Sequence, residues 1–91
     1  FSGSVYSASD DPIVGDNTVF LEMTFFDSNW SVLGDQPVSS SITSSSPTGQ
    51  WLPLAVSGTA PNGVASFNVA MIFTQMNSAG GSVYFDDLGL F

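Results

Sequence analysis

Hydrophobic and polar positions alternate with a period of two along most of this chain. From Thr18 to Phe26, Val19, Leu21, Met23 and Phe25 fall on one side and Phe20, Glu22, Thr24 and Phe26 on the other, a repeat that a strand can use and a helix cannot. Both sides carry aromatics, so this segment is expected at the centre of a sandwich. Val64 to Thr74 repeats the pattern, with Ala65, Phe67, Val69, Met71 and Phe73 facing one way and Ser66, Asn68, Ala70 and Ile72 the other. It is expected to be a second interior strand, half-buried. A charge at Met71, if that side chain is buried, would be severely destabilising because the chain has no cation to pair with it. Val38 to Thr43 is a weaker, Ser-rich strand. In Trp51 to Ser57, Pro53 removes a backbone donor and points to an edge or a bulge. Ser2 to Ser7 and Ser82 to Phe91 complete a set of about six strands.

Turn chemistry separates these runs at Asp10-Asp11-Pro12, Gly15-Asp16-Asn17, Gly34-Asp35-Gln36-Pro37, Ser46-Pro47-Thr48-Gly49, Ala60-Pro61-Asn62-Gly63 and Asn77-Ser78-Ala79-Gly80-Gly81. Their residues either fix φ near −65° or permit φ > 0. No helical stretch, linker or internal repeat stands out, so residues 1–91 are expected to form one all-β domain, an antiparallel β-sandwich. In the last strand Val83 and Phe85 share one parity while Leu88 and Leu90 share the other. Either a β-bulge near Asp86-Asp87 shifts the phase, or the two pairs face opposite sides of a buried strand.

Charge narrows the functions available. The chain has no Lys, Arg, His or Cys and a net charge of −8, which opposes nucleic-acid binding and attraction to anionic membranes. A histidine base, a lysine Schiff base, an arginine clamp and a cysteine nucleophile are all missing. So are the usual nitrogen and sulfur ligands of zinc, copper and iron, which leaves hard cations held by oxygen. Hydrophobic content of 43%, with eight Phe, two Trp and two Tyr, argues for a packed domain rather than disorder. No apolar run reaches the ~18 residues of a membrane-spanning helix, so no membrane insertion is expected. At this size, without disulfides, stability is expected to be marginal and to need help from calcium, a glycan or a neighbouring subunit. The start at Phe1 reads as a processed or partial product. With the lack of trypsin sites, it points to an extracellular or cell-surface location.

The segments FLEMTFFDSNWSVLG (Phe20 to Gly34), SPTGQWLPLAVSGTAPNG (Ser46 to Gly63), ASFNVAMIFTQ (Ala65 to Gln75) and GGSVYFDDLGL (Gly80 to Leu90) resemble, in order and spacing, the later part of jelly-roll carbohydrate-binding modules appended to xylanases and cellulases. The resemblance implies a jelly-roll-like sandwich, a packing role for Trp51, and a share in a structural calcium site for the carboxylates of the VYFDD ending. The N-terminal part of that fold is missing, including the early Glu-containing segment of the calcium site. Trp30 stands where a small turn residue is usual. A closed jelly roll has about eight strands, so a strand from a neighbouring chain could complete this one.

Asp86 and Asp87 are the metal-site candidates, because adjacent carboxylates with no basic partner need water, backbone donors or a cation, and calcium takes six to eight oxygens. Asp10, Asp11 and Asp16 read as turn residues. No pair of carboxylates is placed for glycoside hydrolysis, which needs an acid and a base or nucleophile about 5–10 Å apart in a cleft, so no catalytic residue is expected. Trp30, Tyr84 and Tyr6 are the glycan-contact candidates, since an exposed ring can stack on sugar C–H groups. Asn29, in the sequon Asn29-Trp30-Ser31, is the glycosylation candidate. Two readings follow. The leading one is a self-associating structural subunit of a surface fibre or other extracellular assembly, its partner a second copy of itself. The alternative is a glycan-binding module accessory to a secreted polysaccharide-degrading enzyme.

Overall fold

The computed structural model describes residues 1–75, 77 and 80–90. They form five antiparallel strands and no helix: β1 (Ser2–Ser7), β2 (Thr18–Phe26), β3 (Trp51–Ala55), β4 (Ser66–Thr74) and β5 (Val83–Gly89). One sheet has the order β3-β1-β5 and the other pairs β2 with β4. Each strand lies within the segment where alternation predicts it. The all-β expectation is met for the described residues; Ser78, Ala79 and Phe91, which belong to the last expected turn and strand, lie outside them.

Alternation also orients the strands. Val19, Leu21, Met23 and Phe25 of β2 are buried and share one core with Val5 of β1, Leu54 of β3 and Val56 just beyond it, Ile13 and Ile42. The fourfold repeat in β2 therefore does what period two predicts, and β2 lies between β4 and a bridged segment that is not a strand. β4 flanks it on one side, and residues 32–42 run along the other, touching it through the bridges Phe26↔Val32, Glu22↔Val38 and Val19↔Ile42.

The expected strand Val38–Thr43 is thus reduced to isolated bridges, and Ser39 supplies the reason. Its backbone N–H donates to the Leu21 carbonyl in ordinary ladder fashion, at 2.9 Å. The Leu21 N–H, however, donates to the Ser39 hydroxyl rather than to a backbone carbonyl, also at 2.9 Å. That hydroxyl in turn donates to the Ser40 carbonyl. A side chain has taken the place of a ladder acceptor, a competition for which Ser is well suited.

β4 departs from expectation more strongly. It is an edge strand with β2 as its only strand neighbour among the described residues. Register places Phe67, Val69, Met71 and Phe73 opposite the buried positions of β2, hence on the inner face, yet Phe67 is 48% and Met71 45% exposed. Met71 is therefore not buried, and a charge introduced there would keep access to water. The cause is tertiary: the sandwich is shut along one side only. There β2 approaches β3, and Gly58 lies so close to Pro37 that an added Cβ would sit 2.8 Å from the proline ring. On the opposite side, at β4 and β5, the inner faces are partly uncovered. A radius of gyration of 14.6 Å exceeds the about 12 Å typical of a compact chain of this length.

Candidate functional site

The outward face of the three-stranded sheet gathers the aromatic chemistry. In β3 the inward positions are Leu52 and Leu54, so Trp51, Pro53 and Ala55 face out. In β1, Gly3, Val5 and Ser7 are buried and Ser2, Ser4 and Tyr6 alternate with them. Register sets Tyr6 opposite Trp51 on one side and opposite Tyr84 on the other. The result is a row of three rings across three strands, with centroids 5.3 Å apart for Tyr6 and Trp51 and 6.2 Å for Tyr6 and Tyr84. Neighbouring planes are tilted by 47° and 54°. Trp51 is 49% and Tyr84 56% exposed. Two residues along, the next rank on this face is Pro53, Ser4 and Asp86, which sets a hydroxyl and a carboxylate beside the rings.

Of the sequence-derived glycan-contact residues, Tyr6 and Tyr84 are thus brought together and Trp30 is not. Trp30 packs on Phe26 at the end of β2, in the other sheet, with centroids 5.9 Å apart. It occupies the loop 27–31 that turns β2 back toward Val32 and holds φ at +64°, a left-handed conformation costly for a bulky side chain. The small residue expected at that position has its reason in this angle. The loop is tied by Asp27, whose carboxylate accepts the N–H groups of Asn29 at 2.8 Å and Ser31 at 3.0 Å. Asn29 lies exposed at its tip.

Trp51 is the member of the row that the resemblance assigned to packing. The signal that finds it is local: Leu52, Leu54 and Val56 claim one parity of β3, and Trp51 belongs to the other.

Asp86 and Asp87 sit at a β-bulge, the first of the two alternatives for the phase of β5. The pairing of β1 and β5 slips between Ser2 and Ser4, and Asp87 takes φ of +54°, which Asp tolerates better than most residues. The Asp86 carboxylate accepts the Asp87 N–H at 2.8 Å, capping the irregular step. Beyond it Leu88 returns to the inner face over Gly3, where an added Cβ would come within 2.5 Å of the leucine. Gly3 therefore makes room for Leu88. Both carboxylates are exposed, and among the described residues no group of three or more carboxylates converges in a way that could hold a metal. Asp10, Asp11 and Asp16 remain in exposed turns, where Asp16 accepts a hydrogen bond from the Asn77 amide.

No family model matches this chain, and neither the curated proteins nor the solved structures contain a match to it.

Proposed function

We propose that this chain is a non-catalytic, extracellular glycan-binding module with a jelly-roll-like fold, and that the outward aromatic row of Trp51, Tyr6 and Tyr84 contacts the sugar. The row is the observation that carries the reading. Exposed rings spaced in a line can stack on successive sugar units of an extended polysaccharide, while Ser4 and Asp86 in the adjacent rank reach the sugar oxygens. Because neighbouring planes are tilted by 47° and 54° rather than coplanar, the row suits a soluble, twisted glycan chain better than a flat crystalline surface. The role matches that of the carbohydrate-binding jelly rolls the sequence resembles, but it rests on the three rings themselves, one of which, Trp51, the resemblance assigned to packing.

Affinity electrophoresis through gels containing soluble xylan or β-glucan tests this reading. Retardation is expected, and Trp51→Ala or Tyr84→Ala should weaken it by about 2 kcal/mol, roughly 30-fold, if each ring is a central anchor. Unfolding midpoints measured alongside should change little. Parent and variants migrating alike through every glycan would remove the aromatic row from consideration.

A second reading, the self-associating structural subunit, is favoured by a separate observation, the partly uncovered inner faces at β4 and β5. The two readings are compatible, since the aromatic row faces away from the core. The proposal extends to calcium at Asp86 and Asp87. With two carboxylates at the bulge, such an ion would draw most of its six to eight oxygens from carbonyls and water.

A further inference from the structure

Exposed sheet edges invite pairing with another strand, and proteins blunt them with proline, bulges, charges or a covering segment. Among the described residues, three of the four edges carry such a device. β3 contains Pro53, β5 carries the bulge and the carboxylates of Asp86 and Asp87, and the far side of β2 is covered by residues 32–42. The fourth edge, β4, carries none among the described residues. Its nine residues, SFNVAMIFT, include no charge, proline or glycine and pair with β2 in unbroken register from Ser66 to Thr74.

The free edge can be assigned residue by residue. On β2 the backbone groups of Val19, Leu21, Met23 and Phe25 bond toward residues 33–42, so those of the even-numbered residues point to β4 and engage its even-numbered partners. In β4 the groups of Phe67, Val69, Met71 and Phe73 consequently face outward, unpaired with any other strand among the described residues.

We infer that this edge joins the same edge of a second copy, antiparallel, about a two-fold axis at Ala70. The sequence is palindromic in character about that residue. In this register Phe67 meets Phe73 and Val69 meets Met71, so the outward-facing backbone groups pair in the hydrogen-bonded positions of the ladder. On the inner face the half-exposed Phe67 and Met71 join a continuous apolar surface across a four-stranded sheet. On the outer face Ser66 meets Thr74, Asn68 meets Ile72, and Ala70 meets itself in a non-hydrogen-bonded pair.

Charge points to a second copy as the occupant. In a chain of net charge −8 with no cation, the uncharged β4 is a surface on which two copies can meet without opposing carboxylates directly. The Glu22 side chains, one strand behind Ala70 in each copy, would stand about 14 Å apart across three strand spacings. That exceeds the Debye length of about 10 Å at 0.1 M salt. A nine-residue edge is about 30 Å long and supplies on the order of a few hundred Å² per copy, less than the about 800 Å² of a standard interface. The dimer is therefore weak and concentration-dependent, and because the contact is two-fold it closes at two copies rather than growing into a filament.

This inference rests on the self-association reading, and two substitutions at one position separate their fates. Ala70→Lys places a cation opposite Glu22 within each chain but opposite itself across the axis. In sedimentation equilibrium at 0.15 M salt it should raise the dimer dissociation constant at least about tenfold while the monomer stays folded. Ala70→Cys, in a chain with no other cysteine, brings thiols onto the axis, where paired Cβ atoms lie about 4.5–5.5 Å apart. On mild oxidation it should yield a covalent dimer at least about tenfold faster than Asn68→Cys, whose opposite number is Ile72. Association that survives Ala70→Lys, or equal cross-linking at both cysteine positions, overturns the β4 interface and leaves self-association standing. A parent chain monomeric at every concentration overturns both.

Discussion

Backbone angles explain several residue choices that side-chain chemistry alone leaves open. Gly81 has φ of +86°, and a Cβ there would come within 2.6 Å of the Pro12 carbonyl oxygen. The neighbouring Ser82 N–H donates to the Asp11 carbonyl at 3.1 Å, so this contact fixes the entry to β5 against the turn before Ile13. Gly81→Ala combines a disfavoured angle with a clash against backbone, which cannot rotate aside. It should destabilise the domain by about 2 kcal/mol or more in urea unfolding; an unchanged midpoint would show that the 80–82 segment is not held as described. The Gly-rich turn was recognisable from composition, whereas the reason for its second glycine is a contact with a residue almost seventy positions earlier in the chain.

Strand placement was the most legible part of the sequence, because period-two alternation survives even in a short chain. β2 buries one parity along its length, and the phase change in β5 coincides with a bulge, one of the two alternatives that the sequence left open. What parity could not supply was the neighbour of each strand. β4 reads like an interior strand because its inner face is apolar, and it is an edge because the facing sheet does not extend over it. Nor did the Ser-rich segment announce how it would bond to β2. Ser39 is buried and its hydroxyl is the acceptor for the Leu21 N–H. Ser39→Ala would leave that donor stranded in the core, at a cost of about 1–3 kcal/mol. Thermal or chemical unfolding gives the value, and hydrogen exchange at the Leu21 amide should accelerate. A loss well below that range would mean that residues 37–42 shift to supply a backbone acceptor instead.

At the scale of the whole molecule, a small core and a one-sided charge pull in opposite directions. The shared core holds β2 to β1 and β3, while β4 and β5 leave apolar surface partly uncovered. With no cation to offset eight carboxylates, self-repulsion weakens the compact state, and bound cations or salt relieve it. If Asp86 and Asp87 hold calcium, the unfolding midpoint at constant ionic strength should rise from chelator to millimolar calcium. The Asp86→Asn/Asp87→Asn double variant should lose that rise. Equal midpoints for the parent chain in both buffers would eliminate the calcium proposal without touching the aromatic row or the β4 edge.

The sequence by itself determined the all-β class, the segments of the five strands and the exclusion of chemistry that needs Lys, Arg, His or Cys, since each depends only on local periodicity or on which side chains exist; for the phase change at Asp86-Asp87 it left a bulge and a two-faced strand as alternatives. It also named Tyr6 and Tyr84. Only the tertiary structure decided that these two share a row with Trp51, that Trp30 stands on a loop beyond the end of β2 in the other sheet, and that β4 is left at an open edge. Those facts depend on cross-strand register and on which sheet covers which, and register is a relation between segments far apart in the chain that no single segment encodes.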